Sequence, residues 1–119
     1  MTGPFLDALL VAVGAGVGAP LRYVLARLDG SFPRGMLLVN TIGSGLFGVF
    51  AALALGDAAW ALLGTGFCGG FTSFSSFAVQ AVERPVRSGA AYVVATTVLA
   101  VGACAAGWAL GAMLTTRIG

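Results

Sequence analysis

The chain alternates long apolar stretches with short polar interruptions, and the interruptions hold nearly all of its charges. A helix that crosses a bilayer needs about 20 mainly apolar residues. Four stretches meet that length, over about residues 5–23, 35–55, 58–82 and 89–114. The pattern predicts an all-α membrane protein, with residues 1–119 forming a single four-helix transmembrane domain. The interruptions read as turns. Asp29-Gly30-Ser31-Phe32-Pro33 has turn composition. Leu55-Gly56-Asp57 is a tight connection, which predicts that the second and third helices are antiparallel neighbours. Pro85 lies between the third and fourth stretches, where it resists helix continuation.

The third stretch breaks its own pattern. Gly66-Phe67-Cys68-Gly69-Gly70-Phe71-Thr72-Ser73-Phe74-Ser75-Ser76-Phe77 places glycines and then hydroxyls where a membrane helix should be uniform. Glycine is weakly committed to helix, and clustered small residues mark bends. Thr72, Ser73, Ser75 and Ser76 are poor lipid-facing residues. The segment is therefore predicted to be a broken helix that lines a polar path, with the break over Gly69–Thr72. Phe71, Phe74 and Phe77 recur every three residues, which puts them near one face of a helix. A phenyl ring has a positive edge, so inward-facing rings can solvate an anion weakly enough to let it leave. Carbonyls freed at the break need partners that lipid does not supply, and a cation or water can serve.

Composition agrees with the membrane reading. The apolar fraction is 59% and the charged fraction 8%, against about 25% charged in soluble domains. The net charge of +2 comes without any basic run, which argues against nucleic-acid binding. There is no histidine, no Gly-x-Ser-x-Gly elbow, no phosphate loop and no paired mid-chain carboxylates, so an enzyme is not expected. Cys68 and Cys104 have no metal-site spacing and read as small core residues. Residues 1–6 contain no Lys or Arg, so a cleaved signal peptide is not expected.

Polar groups inside the other stretches have two readings each. Gly14 and Gly18, like Gly66 and Gly70, form small-xxx-small pairs that let helices touch. Arg22 can snorkel to the headgroups or draw an anion into a vestibule. Asn40 can join helices by a hydrogen bond or offer its NH2 group to a permeating anion. Thr41 and Ser44 can simply bond back to their own helix. On the fourth stretch, Tyr92 reads either as an interface anchor or as part of a polar track with Thr96 and Thr97.

Three patches together resemble the Fluc (CrcB) family of fluoride channels. Gly14 to Tyr23 is similar to its first-helix pattern GGxxGAxxRY, with Ala15 in place of the second glycine. Gly35 to Gly48 is similar to its second-helix pattern around an asparagine. Gly66 to Phe77 closely resembles its signature GFCGGFTTFSTF, with Ser73 and Ser76 where threonine is usual, so the hydroxyls are kept. The resemblance covers nearly the whole chain. It implies passive fluoride export across the inner (plasma) membrane by an antiparallel, dual-topology dimer with two pores and a central structural sodium ion. It also implies roles by motif position. Phe74, Phe77 and Asn40 fall at pore positions, with Ser75 and Ser76 as polar lining and Arg22 in the vestibule. Gly69 and Thr72 fall where backbone carbonyls bind the sodium ion.

Charge placement bears on assembly. The first and third loops share one face, which carries Arg22, Arg27, Arg34, Arg84 and Arg87, and the other face has only Arg117. The positive-inside rule then gives this chain one preferred orientation. That bias suggests pairing with an oppositely oriented paralogue rather than a homodimer. Two rival functions remain distinct. A four-helix multidrug/proton antiporter needs an embedded carboxylate, and Asp7 is its candidate. A non-transporting assembly subunit would use the glycines and Asn40 for packing alone.

Overall fold

The computed structural model describes residues 3–118, with side chains through residue 116. Helix α1 spans Pro4–Ala26 and α2 spans Arg34–Ala52. The third span begins with a single turn, α3 (Asp57–Ala59), and widens into a nine-residue π-helical segment, Trp60–Cys68. It closes on α4 (Gly69–Phe71), breaks, and resumes as α5 (Phe74–Val82). Helix α6 runs unbroken over Val86–Ile118. No strand occurs among the described residues. Four helical spans are long and apolar enough to cross a bilayer. The chain is a multi-pass membrane protein.

Hydropathy locates these spans because lipid gives an unpaired backbone group no alternative partner. Their ends differ from the sequence pattern in places. The fourth helix begins at Val86, immediately after Pro85, and reaches Ile118. Its small and polar terminal residues simply extend the helix beyond the apolar window, and Thr115 and Thr116 bond back to the Gly111 and Ala112 carbonyls at 2.9 Å.

Pairing of the helices follows their glycines. The third span leans on α1, and α2 packs mainly along α6. The tight turn after α2 therefore joins neighbours whose larger contacts lie elsewhere. A Cβ placed on Gly18 would stand 2.5 Å from the Phe67 carbonyl oxygen and 2.8 Å from the Phe71 amide nitrogen. On the other side of the bundle, a Cβ on Gly111 would meet the Val49 carbonyl oxygen at 2.8 Å. Backbone thus lies directly against backbone, which side chains at these positions would prevent.

A small core forms where the break is held. Met36, Val39 and Phe71 are buried together, with Leu25, Ala26 and Phe67 packed around them. Phe71 stacks on Phe67 at 5.5 Å. This corrects the single phenylalanine face expected from spacing. The extended residues Thr72 and Ser73 separate Phe71 from Phe74 and Phe77, so Phe71 belongs to the core and the other two to a different surface.

Both loops on the arginine-rich side touch. Arg84 donates from Nη1 to the Ser31 carbonyl, and Gln80 Nε2 donates to Asp29 Oδ2 at 2.9 Å. The shared face read from the sequence is therefore present, with one change. Arg22 is not in a loop; it lies within α1 and points to the break. The face then holds Arg27, Arg34, Arg84 and Arg87, while the side chain of Arg117 lies outside the described residues.

Candidate functional site

The site is built on the break in the third span. In a continuous α-helix the Ser73 amide would bond to the Gly69 carbonyl, and the Ser76 amide to the Thr72 carbonyl. Both amides are diverted. Ser73 N donates to Asn40 Oδ1 at 2.9 Å, and Ser76 N donates to Ser73 Oγ at 3.1 Å. Asn40 closes the clamp by donating from Nδ2 to the Ser73 carbonyl at 3.2 Å. One side-chain amide thus satisfies both backbone groups of Ser73, like a single rung of a sheet ladder. Asn40 and Ser73 are both buried, at 9% and 8% exposure.

The local sequence accepts this arrangement. Ser73 is extended, at φ −150° and ψ 112°, and its hydroxyl caps the first turn of α5. Thr72 ends the preceding turn, with its amide and its hydroxyl both donating to the Cys68 carbonyl, at 3.0 and 2.8 Å. The break therefore falls at Thr72–Ser73, at the distal end of the stretch expected from the glycines. Gly69 and Gly70 both stay helical, and close packing, not bending, is the use of Gly70. A Cβ on Gly70 would meet the Ala15 Cα at 2.7 Å.

Arg22 is half-buried and donates from Nη1 to the Thr72 carbonyl at 3.3 Å. It lies within α1 rather than in a loop. Its charge sits beside the carbonyl end of the broken turn, where the helix dipole is negative. For Asn40, the structure bears out the helix-joining reading. The amide spans helices, and a primary amide has a second N–H beyond the one given to Ser73.

Beyond the break, aromatic rings form a row. Phe74 lies 5.8 Å from Phe77, Phe77 lies 5.2 Å from Tyr92, and Tyr92 meets Phe32 edge-on at 5.6 Å. Phe74 is 78% exposed in the single chain, whereas Tyr92 is fully buried. Tyr92 is thus no interface anchor. Its hydroxyl donates to Gln80 Oε1 at 3.0 Å. Ser75 and Ser76 line a shallow cavity of about 280 Å³ beside Gln80. Of the fourth-helix threonines, Thr96 is buried and Thr97 exposed. The hydroxyls of Thr41 and Thr96 are buried without a hydrogen-bond partner among the described residues, so the back-bond expected for Thr41 is absent.

A larger groove of about 500 Å³ opens on another side, between α2, the π segment and α6. Gly69 and Thr72 reach this groove, as do Cys68 and Cys104, both with free thiols. No cluster of His, Cys, Asp or Glu suited to a metal occurs among the described residues. A hard cation here would have to use oxygen from the backbone. The two carbonyls named by the sequence resemblance suit that chemistry, since both have lost their i+4 amide. The Arg22 guanidinium shares one of them, and a carbonyl has a second lone pair.

The family described as "CrcB-like protein, Camphor Resistance (CrcB)" matches residues 9–108, which include every feature of the break. The chain belongs to the CrcB family. Its relatives agree over most of their length. A protein from Rhodococcus jostii (strain RHA1), named "Fluoride-specific ion channel FluC 2", is 42% identical over 93% of this chain and 100% of its own. One from Nitrobacter winogradskyi, "Fluoride-specific ion channel FluC", is 40% identical over 83% of this chain and 90% of its own. A Thermobifida fusca (strain YX) protein, "Fluoride-specific ion channel FluC 1", is 48% identical over 66% and 69%. These CrcB relatives are named as channels and not as enzymes. The antiporter reading loses its basis, and its candidate carboxylate, Asp7, lies in the first turn of α1.

Sequence reasoning missed Gln80 and the role of Asp29. Gln80 lies four residues after Ser76 and continues its helical face, a signal that the hydroxyl pattern could have extended.

Proposed function

We propose that this chain forms a fluoride-selective channel of the inner (plasma) membrane, which lets fluoride leave the cytoplasm passively. The observation that carries the reading is the Asn40–Ser73 clamp within a CrcB chain. It ends one helix and starts another beside an aromatic row, so α5 presents its positive N-terminal end there. Hydroxyls of Ser75 and Ser76, the remaining N–H of Asn40 and the ring edges of Phe74 and Phe77 offer fluoride weak donors in series. Strong hydration of fluoride then gives way stepwise, without one tight site that would trap it. Names of the relatives support fluoride as the ion.

The finer reading is an antiparallel dimer with two such paths. Exposure of Phe74 and the glycine-lined groove both suit a second subunit. A sodium ion at the groove would be held by the Gly69 and Thr72 carbonyls of the subunits and would supply fixed positive charge between them. The four-to-one arginine bias between the two faces favours one orientation for this chain, and hence an oppositely biased paralogue as partner. Some relatives carry the numbers 1 or 2 in their names, which fits paired channels in one cell.

Growth on fluoride tests both levels. In a fluoride-sensitive bacterium lacking its own export route, expression with the oppositely biased paralogue should restore growth, and Phe74→Ile should abolish the rescue while the protein stays in the membrane. Equal rescue by the lone chain, with both orientations equally labelled, would reject the heterodimer. A dimer that forms with no rescue and no flux would favour a non-transporting assembly subunit.

A further inference from the structure

A second hydrogen-bonded chain runs from a loop to the aromatic row, and its direction is fixed by chemistry. Asp29 lies between α1 and α2. Its Oδ1 accepts from the Met36 amide at 3.1 Å, near the start of α2, and its Oδ2 accepts from Gln80 Nε2 at 2.9 Å. Gln80 Oε1 in turn accepts from the Tyr92 hydroxyl at 3.0 Å. A carboxylate can only accept. Gln80 must therefore turn its NH2 group to Asp29 and its carbonyl to Tyr92, and the Tyr92 hydroxyl must donate. The orientation of the amide follows from the acceptor at one end, not from a choice between similar atoms.

We propose that Asp29 is a positioning residue that sets the polarity of this chain, keeping the Tyr92 hydroxyl proton committed to Gln80 and unavailable to an anion beside Phe77. The inference rests on the fluoride-channel reading. Tyr92 is fully buried and its ring lies 5.2 Å from that of Phe77. Gln80 also lines the same shallow cavity as Ser75 and Ser76. The loop carboxylate thereby reaches the polar lining through one side chain. Asp29→Asn reverses the chain without removing an atom of packing. Its amide oxygen must still accept from the Met36 N–H, so its NH2 group faces Gln80. Gln80 then flips, gives its own NH2 group to the Tyr92 oxygen, and releases the hydroxyl proton. An added donor beside the path grips fluoride more tightly and slows its exit.

Two readouts test this. In liposomes that hold this chain together with the oppositely biased paralogue, Asp29→Asn should lower fluoride flux at least threefold, and should add nothing in a Tyr92→Phe background, where no hydroxyl remains. An equal loss in both backgrounds would mean that the charge acts directly and would overturn the proposal, as would unchanged flux. The second readout does not need transport. In a Tyr23→Phe background Tyr92 is the sole tyrosine of this chain, and in the chain purified alone its ultraviolet Raman ring doublet should change from a donor to an acceptor pattern in Asp29→Asn. It should return to the donor pattern in Asp29→Asn/Gln80→Glu, where a carboxylate again sits opposite the hydroxyl. An unchanged doublet would overturn the proposal whether or not the protein carries fluoride. Flux absent from the unsubstituted protein, with the doublet responding as stated, would instead reject the channel reading alone.

Discussion

Replacing Asn40 by leucine removes the clamp at nearly constant volume. Two hydrogen bonds are lost, one of 2.9 Å to the Ser73 amide and one of 3.2 Å from Asn40 to the Ser73 carbonyl. Left unpaired, the two buried groups would cost about 1–3 kcal/mol each. They need not stay unpaired, because the Ser73 amide can return to the Gly69 carbonyl and close the helix. The relevant quantity is then the net preference for the broken over the closed form. At about 0.5–1.5 kcal/mol per hydrogen bond, the two bonds contribute about 1–3 kcal/mol. That lowers the ratio of broken to closed form about 5- to 150-fold. Asn40→Leu should therefore remain folded and in the same oligomeric state while fluoride flux from liposomes falls by up to that factor. Closing the helix would also rotate Phe74 and Phe77 away from the position they now hold relative to Tyr92. Flux within twofold of the unsubstituted protein, with an unchanged oligomeric state, would refute the clamp as the device that keeps the path open.

Three further substitutions probe the packing, each read by thermal unfolding in detergent. Gly18→Ala places a Cβ 2.5 Å from the Phe67 carbonyl oxygen and should lower stability by about 1–3 kcal/mol, since backbone must move; no loss would mean that α1 and the third span do not touch there. Ala54→Gly should raise stability by about 1 kcal/mol, because Ala54 holds φ 53° just past the end of α2; a loss would show that this residue is not in the left-handed region. Thr96→Val should raise stability by about 1 kcal/mol by removing a buried hydroxyl that has no partner among the described residues; a drop would show that the hydroxyl is partnered in the assembled protein.

The four spans were legible in the sequence because hydropathy and length decide them, and a lipid environment leaves few alternatives. The shared arginine face was legible for the same reason, since loops must alternate sides. The break was visible only as an excess of glycine and hydroxyl. Its position depends on Asn40, 33 residues away, and no local pattern records that distance. Glycine pointed to the wrong cause, because Gly70 serves contact with Ala15 and the extended residues are Thr72 and Ser73. The phenylalanine period failed for a related reason, since a three-residue spacing has one face only while the helix is continuous. Widening of Trp60–Cys68 into a π-helix left no sign in the pattern of apolar residues. Asp29 read as a turn residue, and its part in the Gln80–Tyr92 chain required the loops to be brought together in space.

Fluoride selectivity is the centre of the account, and it is measured most directly by ion efflux from liposomes that hold the purified protein together with the oppositely biased paralogue proposed as its partner. Fluoride should leave rapidly when a potassium ionophore balances the charge, and chloride in matched liposomes should stay inside. Equal release of the two ions, or retention of both, would contradict it.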